Sequence, residues 1–134
     1  MVKPSPTIIE ELRQAALAVR RQAYAPYSNF LVGAAILAGS GKLFVGCNVE
    51  NASYGLTICA ERNAIAAMIA AGERKIQAIA VACHGAGSPC GACRQVMAEF
   101  GEDYGVFLID ADSGEIAAEL TLEELLPHRF RWER

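Results

Sequence analysis

Residues 76–93 read Ile76-Gln77-Ala78-Ile79-Ala80-Val81-Ala82-Cys83-His84-Gly85-Ala86-Gly87-Ser88-Pro89-Cys90-Gly91-Ala92-Cys93, and the fold is decided there. The run 76–83 is almost continuously apolar and of strand length, which predicts a strand covered on both faces. Residues 84–87 form a loop. Ser88 suits an N-cap and Pro89 a first helical position, so a helix is predicted from there to about Phe100. A doubly covered strand feeding a helix is the unit of an α/β architecture.

Upstream, Thr7-Ile8-Ile9-Glu10 has capping-box form, and Ile9, Leu12, Ala16, Val19 and Ala23 recur at helical spacing. That helix is expected to stop near Tyr24-Ala25-Pro26-Tyr27, because proline disfavours a helical residue before it. Residues 32–37 and 43–49 read as two strands around a hairpin turn at Gly39-Ser40-Gly41-Lys42. A helix from Thr57 or Ile58 to Ala71 is apolar on nearly every side after Asn63, and such a helix is expected to be buried. Downstream, residues 104–110 and 115–120 are two further strands, joined across Ala111-Asp112-Ser113-Gly114. Thr121-Leu122-Glu123-Glu124 is a second capping box, opening a short helix that Pro127 stops. Together these elements predict a three-layer α/β/α sandwich around a five-stranded mixed sheet, formed as a single domain over residues 1–134.

The chain is 53% apolar, enough for a core, and its net charge is −3. Its basic residues are scattered rather than striped, so nothing marks a nucleic-acid surface. No basic start precedes a long apolar run, and the most apolar stretches are too short or too broken by charge to span a bilayer. A soluble cytoplasmic protein with no membrane partner is therefore expected. Five cysteines, an odd count without a secretory signal, favour metal ligation or free thiols over a disulfide framework.

Three of those cysteines fall in two blocks, Cys59-Ala60-Glu61 and Pro89-Cys90-Gly91-Ala92-Cys93. Cys90 and Cys93 share a helical face across one turn, and Cys59 sits at the start of the other buried helix. Two helix N-termini directed at the thiols favour their ionised form. Three thiolates bind one zinc ion per chain and leave its fourth tetrahedral position open to water, which zinc makes nucleophilic near neutral pH. A structural site wants a fourth ligand, and Cys47, Cys83, His84 and His128 show no ligand-like spacing. Cys47 and Cys83 read as small buried hydrophobes. Glu61, two residues past the first ligand, stands where a proton shuttle is needed. Arg62, one turn from Cys59, is placed to offset the single negative charge that three thiolates leave on a divalent ion. The alternative from another class is a structural zinc or RNA-interaction module. Glu61 and the missing fourth ligand both argue for the enzyme.

The combination of x-E with P-C-x-x-C is the signature of zinc nucleobase deaminases. With the blocks around it, the chain resembles the small homotetrameric cytidine deaminases almost end to end. The matching blocks are Tyr24-Ala25-Pro26-Tyr27-Ser28 with Phe30 and Val32-Gly33-Ala34-Ala35, then Gly46-Cys47-Asn48-Val49-Glu50-Asn51-Ala52-Ser53-Tyr54. Cys59-Ala60-Glu61-Arg62, Ser88-Pro89-Cys90-Gly91-Ala92-Cys93-Arg94-Gln95-Val96 and Glu124-Leu125-Leu126-Pro127 complete them. The resemblance implies hydrolytic deamination of cytidine and 2′-deoxycytidine in pyrimidine salvage, with Glu61 catalytic and a nucleoside as the partner. It also implies that Asn48 and Glu50 bind the ribose 3′-hydroxyl, that Phe30 packs against the nucleoside and that the Ala60 backbone meets the pyrimidine edge. The family's tetramer implies that Tyr54 and Phe130 complete a neighbour's site.

Three departures stand out. Asn63 replaces the more usual threonine, the loop at 82–87 is shorter than in familiar members, and the tail Phe130-Arg131-Trp132-Glu133-Arg134 stops early. An aromatic followed two residues later by Trp-Glu is similar to the blasticidin S deaminases. Phe30, Asn48 and Glu50 belong to the cytidine pattern instead, so blasticidin-type deamination is the second reading.

Overall fold

The structure is a computed structural model describing residues 2–132; Met1 and the Glu133-Arg134 end of the tail lie outside the described residues. Helix α1 (Pro6–Arg20) is capped by Ser5, not Thr7: Ser5 Oγ accepts the Ile8 N–H at 3.3 Å, and Pro6 fills the first turn. Glu10, expected to close a capping box, pairs instead with Arg13 at 2.6 Å. The helix also ends before Pro26 has any influence. Its last turn tightens through Gln22 N–H to Val19 O at 2.9 Å, leaving Ala23 beyond it.

Strands β1 (Gly33–Ala38), β2 (Leu43–Cys47), β3 (Ile76–Cys83), β4 (Gly105–Asp110) and β5 (Ile116–Thr121) form one sheet in the order β2-β1-β3-β4-β5. Only β3 and β4 run parallel; the other neighbours are antiparallel. On one face, Leu12 and Ala16 of α1 pack with Ala35, Ala78, Ala80 and Phe107. On the other, helices α2 (Ala60–Ala70) and α3 (Gly91–Ala98) pack with Ala34, Ile36, Ile79 and Val81. The run at 76–83 is thus apolar throughout because alternate residues serve two cores, small ones toward α1 and large ones toward α2 and α3. The expected three-layer mixed-sheet architecture is what forms.

Several boundaries move, for local reasons. Strand β2 stops at Cys47, and Val49 makes only isolated bridges to Tyr24 and Ile58. Residues Tyr54–Leu56 form a 3-10 turn, so α2 starts at Ala60 with Cys59 as its N-cap. Nor is α2 buried all round, since Ala66, Ala67 and Ala70 face out; methyl groups leave little apolar area in water. Helix α3 starts at Gly91, with Cys90 rather than Ser88 as N-cap. The Ser88 hydroxyl is taken by Arg94 Nη2 at 3.0 Å, and Pro89 lies buried in the lead-in. At α4 (Leu122–Leu125) the capping box forms: Thr121 Oγ1 accepts the Glu124 N–H at 3.1 Å and Glu124 Oε1 the Thr121 N–H at 2.9 Å. Among the described residues, no helix is long and apolar enough to cross a membrane.

Two features fix α2 on the sheet. A β-carbon at Gly46 would stand 2.3 Å from Ala64 N and 2.7 Å from Ala60 O, so helix backbone rests directly on strand backbone. Asn63, the departure from threonine, donates through Nδ2 to Cys47 O at 2.8 Å and ties the helix to the last carbonyl of β2. Gly46→Ala should therefore lower stability by at least about 1–3 kcal/mol through overpacking. The measurement is a denaturant midpoint at unchanged slope; a midpoint equal to wild type would mean that α2 can withdraw from β2 freely.

Candidate active site

Open α/β sheets leave a crevice beyond the carboxyl ends of their parallel strands. Here the N-termini of α2 and α3 meet beside the end of β3. Cys59 caps α2, Cys90 caps α3 and Cys93 sits in the first turn of α3; the three sulfurs lie within 4.8 Å of one another. Cys93 is buried, Cys59 half-buried and Cys90 exposed. Three sulfurs bonded to one zinc ion at about 2.3 Å sit roughly 3.8 Å apart, so the cluster needs only slight closure to hold it. Among the described residues no fourth His, Cys, Asp or Glu joins the group, which leaves one side open. The donor set fits zinc, and its openness fits a catalytic rather than a structural ion.

The cluster's electrostatics prepare it for a cation. The neighbouring Cys93 thiol, and Arg62 with its Nη2 3.4 Å from the Cys59 sulfur, hold the Cys59 thiol well below its ordinary pKa. The same contact with a thiolate, reinforced by burial, pushes the Cys93 thiol far up. These contacts favour the ionised form of Cys59, and thiolate is the form that binds a metal ion. Glu61 is only 4% exposed and lines the cavity beside Cys59 and Cys90. Burial raises its pKa above the usual carboxylate range, and the negative Cys59 adds to the rise. Three thiolates on a divalent ion still sum to one negative charge, so a loaded site keeps that repulsion. A carboxyl poised in this way can both accept and return a proton.

The cavity holds about 430 Å³ and is lined by Phe30, Asn48, Glu50, Ala60 and Glu61 together with Cys59 and Cys90. Asn48 Oδ1 accepts the Val32 N–H at 2.9 Å while Nδ2 donates to Phe30 O at 2.8 Å, so this side chain also holds Phe30 in place. One amide hydrogen remains uncommitted. Glu50 Oε1 accepts the N–H groups of Tyr27 at 2.9 Å and Ser28 at 3.2 Å, and Oε2 accepts the Ser28 hydroxyl. Those bonds, the Ser28 hydroxyl foremost, lower the Glu50 pKa and keep it an anionic acceptor. The support from the Tyr27 and Ser28 backbone is not legible in the sequence, because a backbone N–H leaves no trace in residue identity.

Other expectations shift. Cys83 is buried, as expected of a small hydrophobe, but it also lines the cavity and accepts the Gly87 N–H at 3.2 Å. Tyr54 is 75% exposed and lines an adjoining hollow of about 250 Å³ that shares Ser28, Glu50 and Thr57 with the main cavity. It meets Tyr27 edge-to-face with centroids 5.8 Å apart. Phe130, 72% exposed, lines a separate cavity with Gln95 and Arg129 and is not brought to the three cysteines within one chain.

Cys59→Ala, Cys90→Ala and Cys93→Ala should each abolish stoichiometric zinc binding, whereas Cys47→Ala should retain it. Elemental analysis of the purified variants reads this directly. Retention of one zinc per chain in any of the first three would place the metal elsewhere.

Residues 6–109 match the family model described as the cytidine and deoxycytidylate deaminase zinc-binding region. A curated cytidine deaminase of Sporosarcina psychrophila is 44% identical over 124 residues, covering 91% of this chain and 90% of that protein. One from Halalkalibacterium halodurans is 49% identical over 118 residues, covering 86% and 88%. The crystal structure of cytidine deaminase from Burkholderia pseudomallei superposes with a TM-score of 0.84 at 50% identity, over 90% of this chain and 98% of that one. With the three-cysteine cluster, the buried glutamate and these matches together, the chain belongs to the cytidine and deoxycytidylate deaminase zinc-binding family.

Proposed function

We propose that this chain is a zinc-dependent hydrolase that converts cytidine and 2′-deoxycytidine to uridine and 2′-deoxyuridine with release of ammonia. The observation that carries the reading is Glu61, a buried carboxyl on the wall of a nucleoside-sized cavity beside three convergent sulfurs. Zinc held by Cys59, Cys90 and Cys93 supplies a Lewis acid that makes water nucleophilic near neutral pH. Glu61 takes one proton from water and delivers it to N3 of the base; it then takes the second from the new hydroxyl on C4 and gives it to the amino group as the C4–N bond breaks. Water's oxygen becomes the new carbonyl and the amino nitrogen leaves as ammonia, so the shuttle ends as it began. Arg62 offsets the charge of the thiolates.

The sugar is read by the other end of the cavity. The free Nδ2 hydrogen of Asn48 and the anionic Glu50 suit a hydroxyl that both accepts and donates, and Phe30 gives the nucleoside an apolar surface. A grip on the 3′-oxygen is indifferent to the 2′ position, which is why both nucleosides react. Ala60 lends its backbone to the pyrimidine edge. The enzyme works in the cytoplasm as a homotetramer in which Tyr54 and Phe130 complete a neighbour's site. Two features support this: both aromatics are largely exposed in the isolated chain, and Leu56 and Ile58 beside Tyr54 add apolar surface at 65% and 43% exposure.

Glu61→Gln keeps the shape and removes the shuttle, so turnover should fall by roughly 10²-fold or more with zinc still bound. Near-normal turnover in that variant would refute the assigned role. Mixing Glu61→Gln chains with impaired Phe130→Ala chains, under conditions of subunit exchange, should recover activity above the sum of the parents. Strict additivity would mean that Phe130 serves its own chain.

A further inference from the structure

Arg94 lies one residue beyond the last cysteine of the cluster, half-buried, and each of its three guanidinium nitrogens donates to an uncharged oxygen. Nε donates to Pro89 O at 2.7 Å, Nη2 to Ser88 Oγ at 3.0 Å and Nη1 to Leu125 O at 2.7 Å. No carboxylate partners it among the described residues. The first two acceptors are the residues immediately before Cys90; the third is the last carbonyl of α4, one of the groups a helix C-terminus leaves unsatisfied. A planar fork donates from three separated nitrogens and so spans the two segments, whereas an ammonium donates from a single nitrogen.

The three ligands differ in how the fold supports them. Cys93 is fixed within α3 and buried, and Cys59 is carried by α2, which rests on β2 at Gly46. Cys90 is exposed and precedes the helix proper; its sulfur accepts the Cys93 N–H at 3.4 Å, and the backbone that carries it is set by Ser88 and Pro89. We propose that Arg94 is the positioning residue for this third ligand: it staples the Ser88-Pro89 turn to the end of α4 and so sets where the Cys90 sulfur stands. Nothing in the contact requires substrate; Arg94 acts through the turn that carries Cys90. Its position in the sequence carries the chemistry as well, because one helical turn separates Arg94 from Cys90, bringing the fork back over the turn that precedes the cap.

The inference rests on zinc at the three-cysteine cluster, and the test uses the zinc-loaded protein. Zinc release to a chromogenic chelator is timed for wild type, Arg94→Ala, Arg94→Lys and Leu12→Ala, the last a destabilised control that touches only the α1-side core. Release from Arg94→Ala should be about 10- to 100-fold faster than from wild type, the range that partners of metal ligands command. Arg94→Lys, with one nitrogen in place of the fork, should also be faster, and it decides the matter if the alanine variant does not fold. Leu12→Ala should release zinc at close to the wild-type rate despite its lower melting temperature. Wild-type release rates in the Arg94 variants, or equal acceleration in Leu12→Ala, would overturn the positioning role while leaving the zinc site intact. Wild-type protein that holds no zinc would overturn both.

Discussion

Helix α2 lies on β2 with its backbone against Gly46, close enough that one added methyl would strike the Ala64 amide, and this contact governs where Cys59, Ala60 and Glu61 stand. The second half of the site comes from the crossover between the parallel strands β3 and β4, which must pass over the sheet and so delivers the start of α3 to the carboxyl end of β3. Two helix N-termini therefore meet at three sulfurs. Their partial positive charges favour thiolate, and Arg62 adds a full charge to the same end. The charge distribution that zinc requires is built into the backbone arrangement before any metal arrives.

The site's two ends do opposite things to their carboxyls, and the opposition follows from solvent. Glu61 is buried against sulfur, with its charge disfavoured, so it can carry a proton. Glu50 is only half-buried and accepts two backbone N–H groups and a hydroxyl, so its charge is favoured and it remains an acceptor. Two acids in one cavity thus separate into one suited to the proposed proton shuttle and one suited to the proposed sugar anchor, through their surroundings alone.

Much of this was legible in the sequence. The run at 76–83 announced a doubly covered strand because Ile79 and Val81 face one core while Ala78 and Ala80 face the other. The cysteine blocks announced a metal because their spacing places ligands on two helix starts. What stayed hidden was of two kinds. Helix starts differ at α1, where Ser5 with Pro6 caps ahead of Thr7, at α2, where a 3-10 turn precedes Ala60, and at α3, where the Ser88 hydroxyl is occupied by Arg94. Backbone donors were invisible too, so the support of Glu50 by Tyr27 and Ser28 and the docking of Arg94 on the Leu125 carbonyl emerge only from the fold.

The central claim is that a zinc-charged, Glu61-bearing cavity hydrolyses the amino group of a nucleoside. The decrease of cytosine absorbance when zinc-loaded protein meets cytidine tests it most directly, run in parallel with cytidine monophosphate and with a chelator. Turnover of cytidine is expected, lost with the chelator and restored by zinc. Slower turnover of the monophosphate is also expected, because the anionic Glu50 repels a nearby phosphate. No turnover of cytidine by the zinc-loaded protein, or a preference for the monophosphate, would contradict the central claim.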